Sequence, residues 1–136
     1  MTSMRTETIS LRTSEHVTDV TEELRRFASA AGGDGLVHAF LPHATAGLAL
    51  MEVGSGSERD LEEVLGRLLP RDERWTHSHG SPGHGADHVL PVFVSPSISI
   101  PVIEGGPQLG MWQSLVVVDL NRDNPDRKIR FSFLPA

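Results

Sequence analysis

Residues 111–120 contain an unbroken apolar run, Leu115 to Val118, in a chain of 136 residues. Successive side chains of a β-strand point to opposite faces of its sheet, so an apolar run without alternation needs packed material on both faces. The run therefore predicts a strand that is covered on both sides. A chain that contains such a strand must build a layered core around it.

The other apolar patterns are short and mostly separated by turn residues. Alternation or apolar runs predict further strands over residues 4–12, 36–41, 42–52, 97–102 and 128–134, the last with Ile129, Phe131 and Phe133 pointing inward. Helical spacing predicts one helix that is capped by Thr13 or Ser14 and stopped by Gly32-Gly33, and a second that starts at Ser57 and ends near Pro70. Residues 71–87 are polar and rich in glycine and histidine, which is typical of a long loop.

These elements predict an α+β, β-rich fold. We expect an antiparallel β-sandwich of jelly-roll type with two flanking helices, formed as a single domain over residues 1–136.

Composition excludes several classes of function. The net charge is −6 and no block of lysine or arginine is present, which argues against a nucleic-acid-binding surface. No apolar run has membrane-spanning length, and the first ten residues lack the apolar core of a signal peptide, so we expect a cytoplasmic protein. The chain has no cysteine, so any metal must be held by imidazole, carboxylate or backbone oxygen. Small anionic ligands remain compatible with this composition.

Four of the seven histidines lie between His77 and His88. His77 and His79 are two residues apart, so on an extended segment both side chains point the same way, and His43 or His88 could complete three metal ligands. His79 or His84 could also serve as one of the three ligands. The alternative is a solvated histidine-glycine loop that binds no metal.

The segment 42–52 places titratable groups at both ends of a predicted strand. His43 precedes the strand, Glu52 follows it, and Gly47 would permit the close approach of another backbone or of a ligand. The alternative is a core strand with both titratable groups in solvated turns.

Trp112 and Gln113 form a second candidate pair. An indole beside a primary amide offers a flat apolar wall and two hydrogen-bonding groups to a heteroaromatic ring. The alternative is a core tryptophan with Gln113 on the surface.

Several of these segments together resemble one known family. The matching segments, in chain order, are His43-Ala44-Thr45-Ala46-Gly47-Leu48, Glu52, the helix from Ser57, Trp75 with His77, His88, Ile100-Pro101-Val102 and Gly110-Met111-Trp112-Gln113. The chain resembles the YjbQ-like family of secondary thiamine-phosphate synthases over nearly its whole length.

The resemblance implies a homotrimer with a site near subunit contacts, and it assigns roles to particular residues. It implies a divalent metal, with zinc favoured and nickel, manganese or magnesium as alternatives. The implied metal ligands are His43, His77 and His88, the catalytic residues are Glu52, Gln113 and Thr45, and the residues that bind a small anionic substrate are Trp112, His79 and Asp119.

The implied reaction couples a hydroxymethylpyrimidine diphosphate to a thiazole phosphate and releases pyrophosphate. The chain departs from the family pattern where Ser55-Gly56 replaces Asp-Pro, where Ser78 replaces an aspartate and where Leu90 replaces a lysine. These departures motivate an alternative, a metal- or small-anion-binding homotrimer with little catalysis of its own. A third hypothesis is a structural trimer whose histidines bind nothing.

Overall fold

A computed structural model describes residues 4–136, and in that range the chain forms eight strands and four helices. The strands are β1 Arg5–Arg12, β2 Val17–Asp19, β3 Gly35–Phe40, β4 Gly47–Met51, β5 Ser97–Ile103, β6 Gly106–Pro107, β7 Ser114–Val118 and β8 Asp126–Pro135. The helices are α1 Thr21–Ala31, α2 Ser57–Leu68, α3 His84–Asp87 and α4 Leu90–Phe93. All strand pairs are antiparallel, with strand orders β1-β8-β3-β5-β6 and β2-β7-β4 in the two sheets.

Strand β7 is the apolar run that requires two covered faces. Leu115 and Val117 pack into a first core that contains side chains from both sheets and from α1. Val116 and Val118 point the other way, into a second core formed with α2 and with the region of α3 and α4. All four side chains are fully buried, so the prediction of a strand covered on both faces is confirmed.

Strand β8 lies between β1 and β3 in the larger sheet. Its residues Ile129, Phe131 and Phe133 are buried in the first core, as the alternation predicts. The α+β, strand-rich class with two antiparallel sheets and two longer helices is confirmed, and α2 begins at Ser57 as expected.

Gly47 opens β4 at a position where no side chain would fit. A Cβ atom there would lie 1.9 Å from the carbonyl oxygen of Val94. The next residue, Leu48, donates its amide to the carbonyl of Ser95 at 2.8 Å. The predicted close approach of a second backbone at Gly47 is therefore confirmed.

The predicted start of the first helix is wrong. The helix begins at Thr21, because residues 17–19 form β2 against β7 instead of a helical turn. Asp19 fixes the entry to the helix by accepting the amide and the hydroxyl of Thr21, the first helical residue, at 2.9 and 2.6 Å. Thr13 is buried and donates its hydroxyl to Asp119 at 2.6 Å, so it serves the core and not a helix end.

The predicted long loop ends in α3, and the sequence pattern did not reveal α4. Within residues 4–136, no helix is both long and apolar enough to cross a membrane. The expectation that no signal peptide is present includes residues 1–3, which lie outside the described part of the chain.

Candidate metal centre

Four imidazole rings form one cluster, which we call the histidine cluster: His77, His79, His84 and His88. The ring centre of His77 lies 4.1 Å from that of His79 and 4.2 Å from that of His88. The His84 ring centre is 4.7 Å from that of His88 and 5.0 Å from that of His79. A single chain thus brings together four potential ligands from residues 77–88.

Helix α3 and the preceding loop position these rings. His84 and His88 are four residues apart across a helical turn, a spacing that places both side chains on one face. Gly85 lies between them, and a Cβ atom there would lie 2.4 Å from the carbonyl oxygen of His77 and 2.5 Å from Cβ of Trp75. The missing side chain at Gly85 therefore allows the loop that carries His77 to pack against the helix.

A buried polar network anchors the loop below the rings. Asp87 is 1 % exposed and forms an ion pair with Arg71 at the start of the loop. Asn121, which follows β7, donates its side-chain amide to Asp87 at 3.0 Å. Arg71 also donates to the carbonyl of Pro82 at 3.2 Å. Arg71 and Asp87, at the two ends of the histidine-bearing segment, are therefore held to each other. Asn121 links the pair to the end of β7, the strand whose side chains enter both cores.

Asp123 fixes the orientation of one ring. Its Oδ2 accepts hydrogen bonds from Nδ1–H of His84 at 2.9 Å and from the amide of Ser81 at 3.1 Å. Hydrogen bonds from Ser81 and then from His84 lower the pKa of Asp123 below its ordinary value, so the carboxylate is ionised at neutral pH. Because Nδ1 donates to the carboxylate, Nε2 of His84 is unprotonated and accepts a hydrogen bond from Nε2–H of His88 at 3.0 Å, which a bound metal would replace.

The donor set fits a divalent ion that prefers nitrogen. The ligand nitrogens of His77, His79 and His84 all lie within 4.8 Å of one another. Tetrahedral zinc, with Zn–N bonds of about 2.0–2.1 Å, needs nitrogens roughly 3.4 Å apart, so the three rings would have to move closer together to bind it. An all-imidazole set suits zinc or nickel and is poor for magnesium, which prefers oxygen.

The cluster keeps its rings in the form that binds metal. Burial, followed by the neighbouring rings of His79, His88 and His84, lowers the pKa of His77. Burial, followed by the rings of His84 and His79, lowers the pKa of His88, against an opposing effect of Asp87. Neutral imidazole is the metal ligand, so both shifts extend the binding-competent form to lower pH.

His43 lies outside the histidine cluster, so one chain does not assemble the predicted triad of His43, His77 and His88. Its Nε2 accepts the backbone amide of Lys128 at 2.9 Å. The same lone pair would be needed to bind a metal, and the hydrogen bond occupies it. Within the chain, His84 joins His77 and His88, and His43 does not.

The predicted substrate residue Asp119 and the predicted catalytic residue Thr45 are both buried. The carboxylate of Asp119 accepts from Arg127 at 2.7 and 3.0 Å, from Thr13 at 2.6 Å and from the amide of Asn121 at 3.0 Å. Arg127 also donates to Oγ1 of Thr45 at 2.8 Å. Both groups are part of a satisfied core network.

Glu52, Trp112 and Gln113 lie together at the opposite end of β7. Met51 is paired with Ser114, so Glu52, which follows Met51, and Gln113, which precedes Ser114, lie at the same end of this strand pair. Trp112 is 70 % exposed there, and Oε1 of Gln113 accepts the amide of Gly110 at 2.8 Å. The strand between Gln113 and Asp119 spans about 20 Å at roughly 3.3 Å per residue, so one chain separates these groups from the loop that holds Asp123 and His84.

The chain is similar to known proteins over nearly its whole length. A sequence model described as "UPF0047 protein YjbQ-like" matches residues 5–136. This chain belongs to the YjbQ-like family. The UPF0047 protein of Mycobacterium bovis is 57% identical over 118 residues, which cover 87% of this chain and 91% of that protein. The UPF0047 protein of Methanothermobacter thermautotrophicus is 32% identical over 132 residues, which cover 93% and 90% of the two chains.

Solved structures of other proteins share the fold. A YjbQ-like protein from Sulfolobus solfataricus superposes with a TM-score of 0.90 at 20% identity, over 98% of this chain and 99% of that one. A protein from Aeropyrum pernix superposes with a TM-score of 0.85 at 26% identity, over 97% and 99% of the two chains.

One departure from the YjbQ-like pattern has a structural explanation. Leu90, where the resemblance described in the sequence analysis leads us to expect a lysine, is 1 % exposed and lies in the second core with Leu65 and Val116. The side chain there contributes to packing.

Sequence reasoning did not identify His84 as a cluster member in preference to His43. The signal was present, because His84 and His88 have the four-residue spacing of one helix face. A helix of four residues inside a glycine-rich loop is too short to predict from side-chain spacing, so the sequence does not indicate that His84 and His88 share a helix face.

Proposed function

We propose that this chain is a divalent-metal-dependent transferase of the secondary thiamine-phosphate synthase type. It would join a hydroxymethylpyrimidine diphosphate to a thiazole phosphate, and the carbon–oxygen bond to the diphosphate would break with its electron pair leaving on pyrophosphate. The observation that carries the metal dependence is the convergence of the imidazoles of His77, His79 and His84, with a carboxylate behind the ring of His84. The reaction type comes from the resemblance to secondary thiamine-phosphate synthases described in the sequence analysis, and the matching sequence model establishes the family alone.

In this proposal His77, His79, His84 and His88 hold the metal. When bound, the cation neutralises negative charge on the leaving diphosphate. Asp123 orients His84, and the Arg71–Asp87 ion pair keeps the loop in place. The low pKa values of His77 and His88 keep these rings unprotonated and available as ligands near neutral pH.

Glu52, Trp112 and Gln113 would orient the heteroaromatic rings. Trp112 is exposed and free to stack on a planar ring, and Gln113 presents an amide nitrogen beside it. Since these groups and the histidine cluster lie at opposite ends of β7, a site that uses both must draw them from different chains. This arrangement supports the homotrimer that the family resemblance implies, with the site at a subunit contact.

The test measures pyrophosphate release by protein purified without a histidine tag, supplied with both substrates. We expect release by the wild type and by His38→Ala, and none by His77→Ala. His38 is the matched control, because it lies on β3 and shares a hydrogen bond with Ser99 at 3.1 Å, away from the cluster. Equal rates in all three proteins would contradict the proposal.

A second candidate function is a metal- or small-anion-binding homotrimer with little catalysis of its own. The burial of Leu90 at the position of the family's lysine favours it, since the chain lacks that cation for a diphosphate. Elemental analysis combined with the pyrophosphate assay separates the two functions. About one metal per chain that is lost in His77→Ala, together with no pyrophosphate release, would identify the binding protein.

A further inference from the structure

A cavity of about 740 Å³ opens at the start of β8. We call it the basic pocket, and its charged and titratable lining residues are Arg12, His43, Asp126, Arg127, Lys128 and Arg130. It shares no lining residue with the cavity of about 260 Å³ at the histidine cluster. The two are separate places on one chain.

Positive charge is concentrated in this pocket. Four of the 12 lysine and arginine residues line it, in a chain whose net charge is −6. Arg12 is paired with Asp126 at 3.0 Å, and Arg127 is paired with the buried Asp119. Within residues 4–136, Lys128 and Arg130 form no ion pair, so two cationic groups remain uncompensated.

The backbone explains why these groups face an open space. Strand β3 pairs with β8 only from Arg130 onward, so the earlier part of β8 lacks a neighbour on that side. The His43 side chain fills the gap by accepting the amide of Lys128 at 2.9 Å. Lys128 and Arg130 are two residues apart on β8 and both exposed, so their side chains leave the same face of the sheet about 7 Å apart.

The ring of His43 adds a neutral donor to this wall. Burial and the nearby Arg127 lower its pKa, so the ring is neutral at physiological pH. Because Nε2 accepts a hydrogen bond, the ring proton lies on Nδ1. The pocket therefore combines the guanidinium of Arg130, the ammonium of Lys128 and the imidazole N–H of His43. The buried Arg127–Asp119 ion pair lies beneath them and holds the strand in place.

We propose that the basic pocket binds the phosphate or diphosphate group of a small molecule. A guanidinium matches two phosphate oxygens at once, and an ammonium adds a point charge. Two uncompensated cations suffice for one such group and are too few for a nucleic-acid backbone. The inference does not depend on the metal centre, because the pocket contains no member of the histidine cluster.

Calorimetric titration of metal-depleted protein with inorganic phosphate, and separately with pyrophosphate, tests the inference. We expect saturable binding to the wild type and at least about tenfold weaker binding to the double variant Lys128→Gln/Arg130→Gln. The matched control is Arg25→Gln/Arg67→Gln, which removes two exposed charges from α1 and α2 outside the pocket. It should bind within about twofold of the wild type, since distant exposed charges are screened by salt.

Three results would overturn the inference. They are no saturable binding to metal-depleted wild type, an equal loss in the control variant, or binding that appears only when metal is restored. The last result would place the anion at the histidine cluster. Continued binding by His77→Ala/His79→Ala protein that holds no metal would support the basic pocket even if the proposed transferase activity were absent.

Discussion

His84 and Asp123 form a histidine–carboxylate pair in which Nδ1–H of the ring donates to Oδ2 across 2.9 Å. The residues are 39 positions apart, and the pair joins the histidine-bearing loop to the turn after β7. It turns the unprotonated Nε2 of His84 toward three other imidazoles. Carboxylates behind metal-binding histidines orient the ring and raise its basicity.

Asp123→Asn should weaken zinc binding by about 10- to 100-fold, because the ring loses its ionised partner. Competition with a chromophoric chelator measures the affinity. Asp72→Asn is the control, since Asp72 lies on the same loop but is paired with Arg74 at 2.8 Å. Unchanged zinc affinity in Asp123→Asn would show that the pair has no part in metal binding.

Gly85→Ala should destabilise the fold by roughly 1–3 kcal/mol and lower zinc affinity, since the added methyl group would displace the carbonyl of His77. Urea unfolding measures the first effect and chelator competition the second. In Gly66→Ala the methyl group meets open space on α2, and helix propensity predicts a gain of about 0.5–1 kcal/mol. If both alanine variants behaved alike, the loop would not depend on close packing at Gly85.

The metal-free protein should lose stability as pH falls below the ordinary histidine pKa of 6.5. The folded state lowers the pKa of His77 and of His88, so in that range the unfolded chain binds more protons than the folded one. Stability then rises with pH and is fully recovered above 6.5. Metal binding should be lost in the same direction, because protons compete for the ligand nitrogens.

Urea unfolding at about pH 7.5 and about pH 5.5 checks this dependence. The double variant His77→Gln/His88→Gln should show a smaller loss between the two conditions than the wild type. His38→Gln should show the wild-type loss. A double variant as pH-sensitive as the wild type would assign the effect to other groups.

Leu90→Ala should cost about 2–5 kcal/mol of stability, because its side chain fills the second core. Val92→Ala, in the same short helix but 79 % exposed, should change stability by less than about 0.5 kcal/mol. Urea unfolding of both variants measures the difference. Similar small effects would mean that the packing around Leu90 is not formed.

Asp119→Asn should cost roughly 3–5 kcal/mol, since it leaves the buried Arg127 guanidinium without its counter-charge. Asp126→Asn removes an exposed pair with Arg12 and should cost at most about 1 kcal/mol. Thermal or urea unfolding measures the difference in stability between the two variants. A stable Asp119→Asn protein that had lost only ligand binding would restore Asp119 as a substrate residue.

Patterns that depend on local side-chain period were predictable from the sequence. The run in β7, the inward residues of β8 and the start of α2 follow from local period and turn residues. The start of α1 was not predictable, because three residues of β2 gain more from pairing with β7 than from a further helical turn. The burial of Asp119 depends on Arg127, which reaches it only after the chain turns between β7 and β8.

The site was predictable only in part for a similar reason. The two-residue spacing of His77 and His79 predicts that their side chains point the same way. The contact between His84 and Asp123 depends on the position of the turn after β7, which local sequence does not specify. His43 has a residue pattern that resembles a ligand. In the structure its ring accepts a hydrogen bond from the backbone amide of Lys128. This amide has no strand partner on that side because β3 ends at Phe40.

Strand β7 gives both hydrophobic cores a common wall, because its alternate residues belong to one core or the other. If either core unfolded, one face of β7 would become exposed to solvent, and the strand would no longer hold the residues packed on its other face. The two halves of the molecule should therefore melt together in a single transition, although they pack on opposite surfaces of one short strand. An ion held by the rings beside the second core would then protect the first core from unfolding as well.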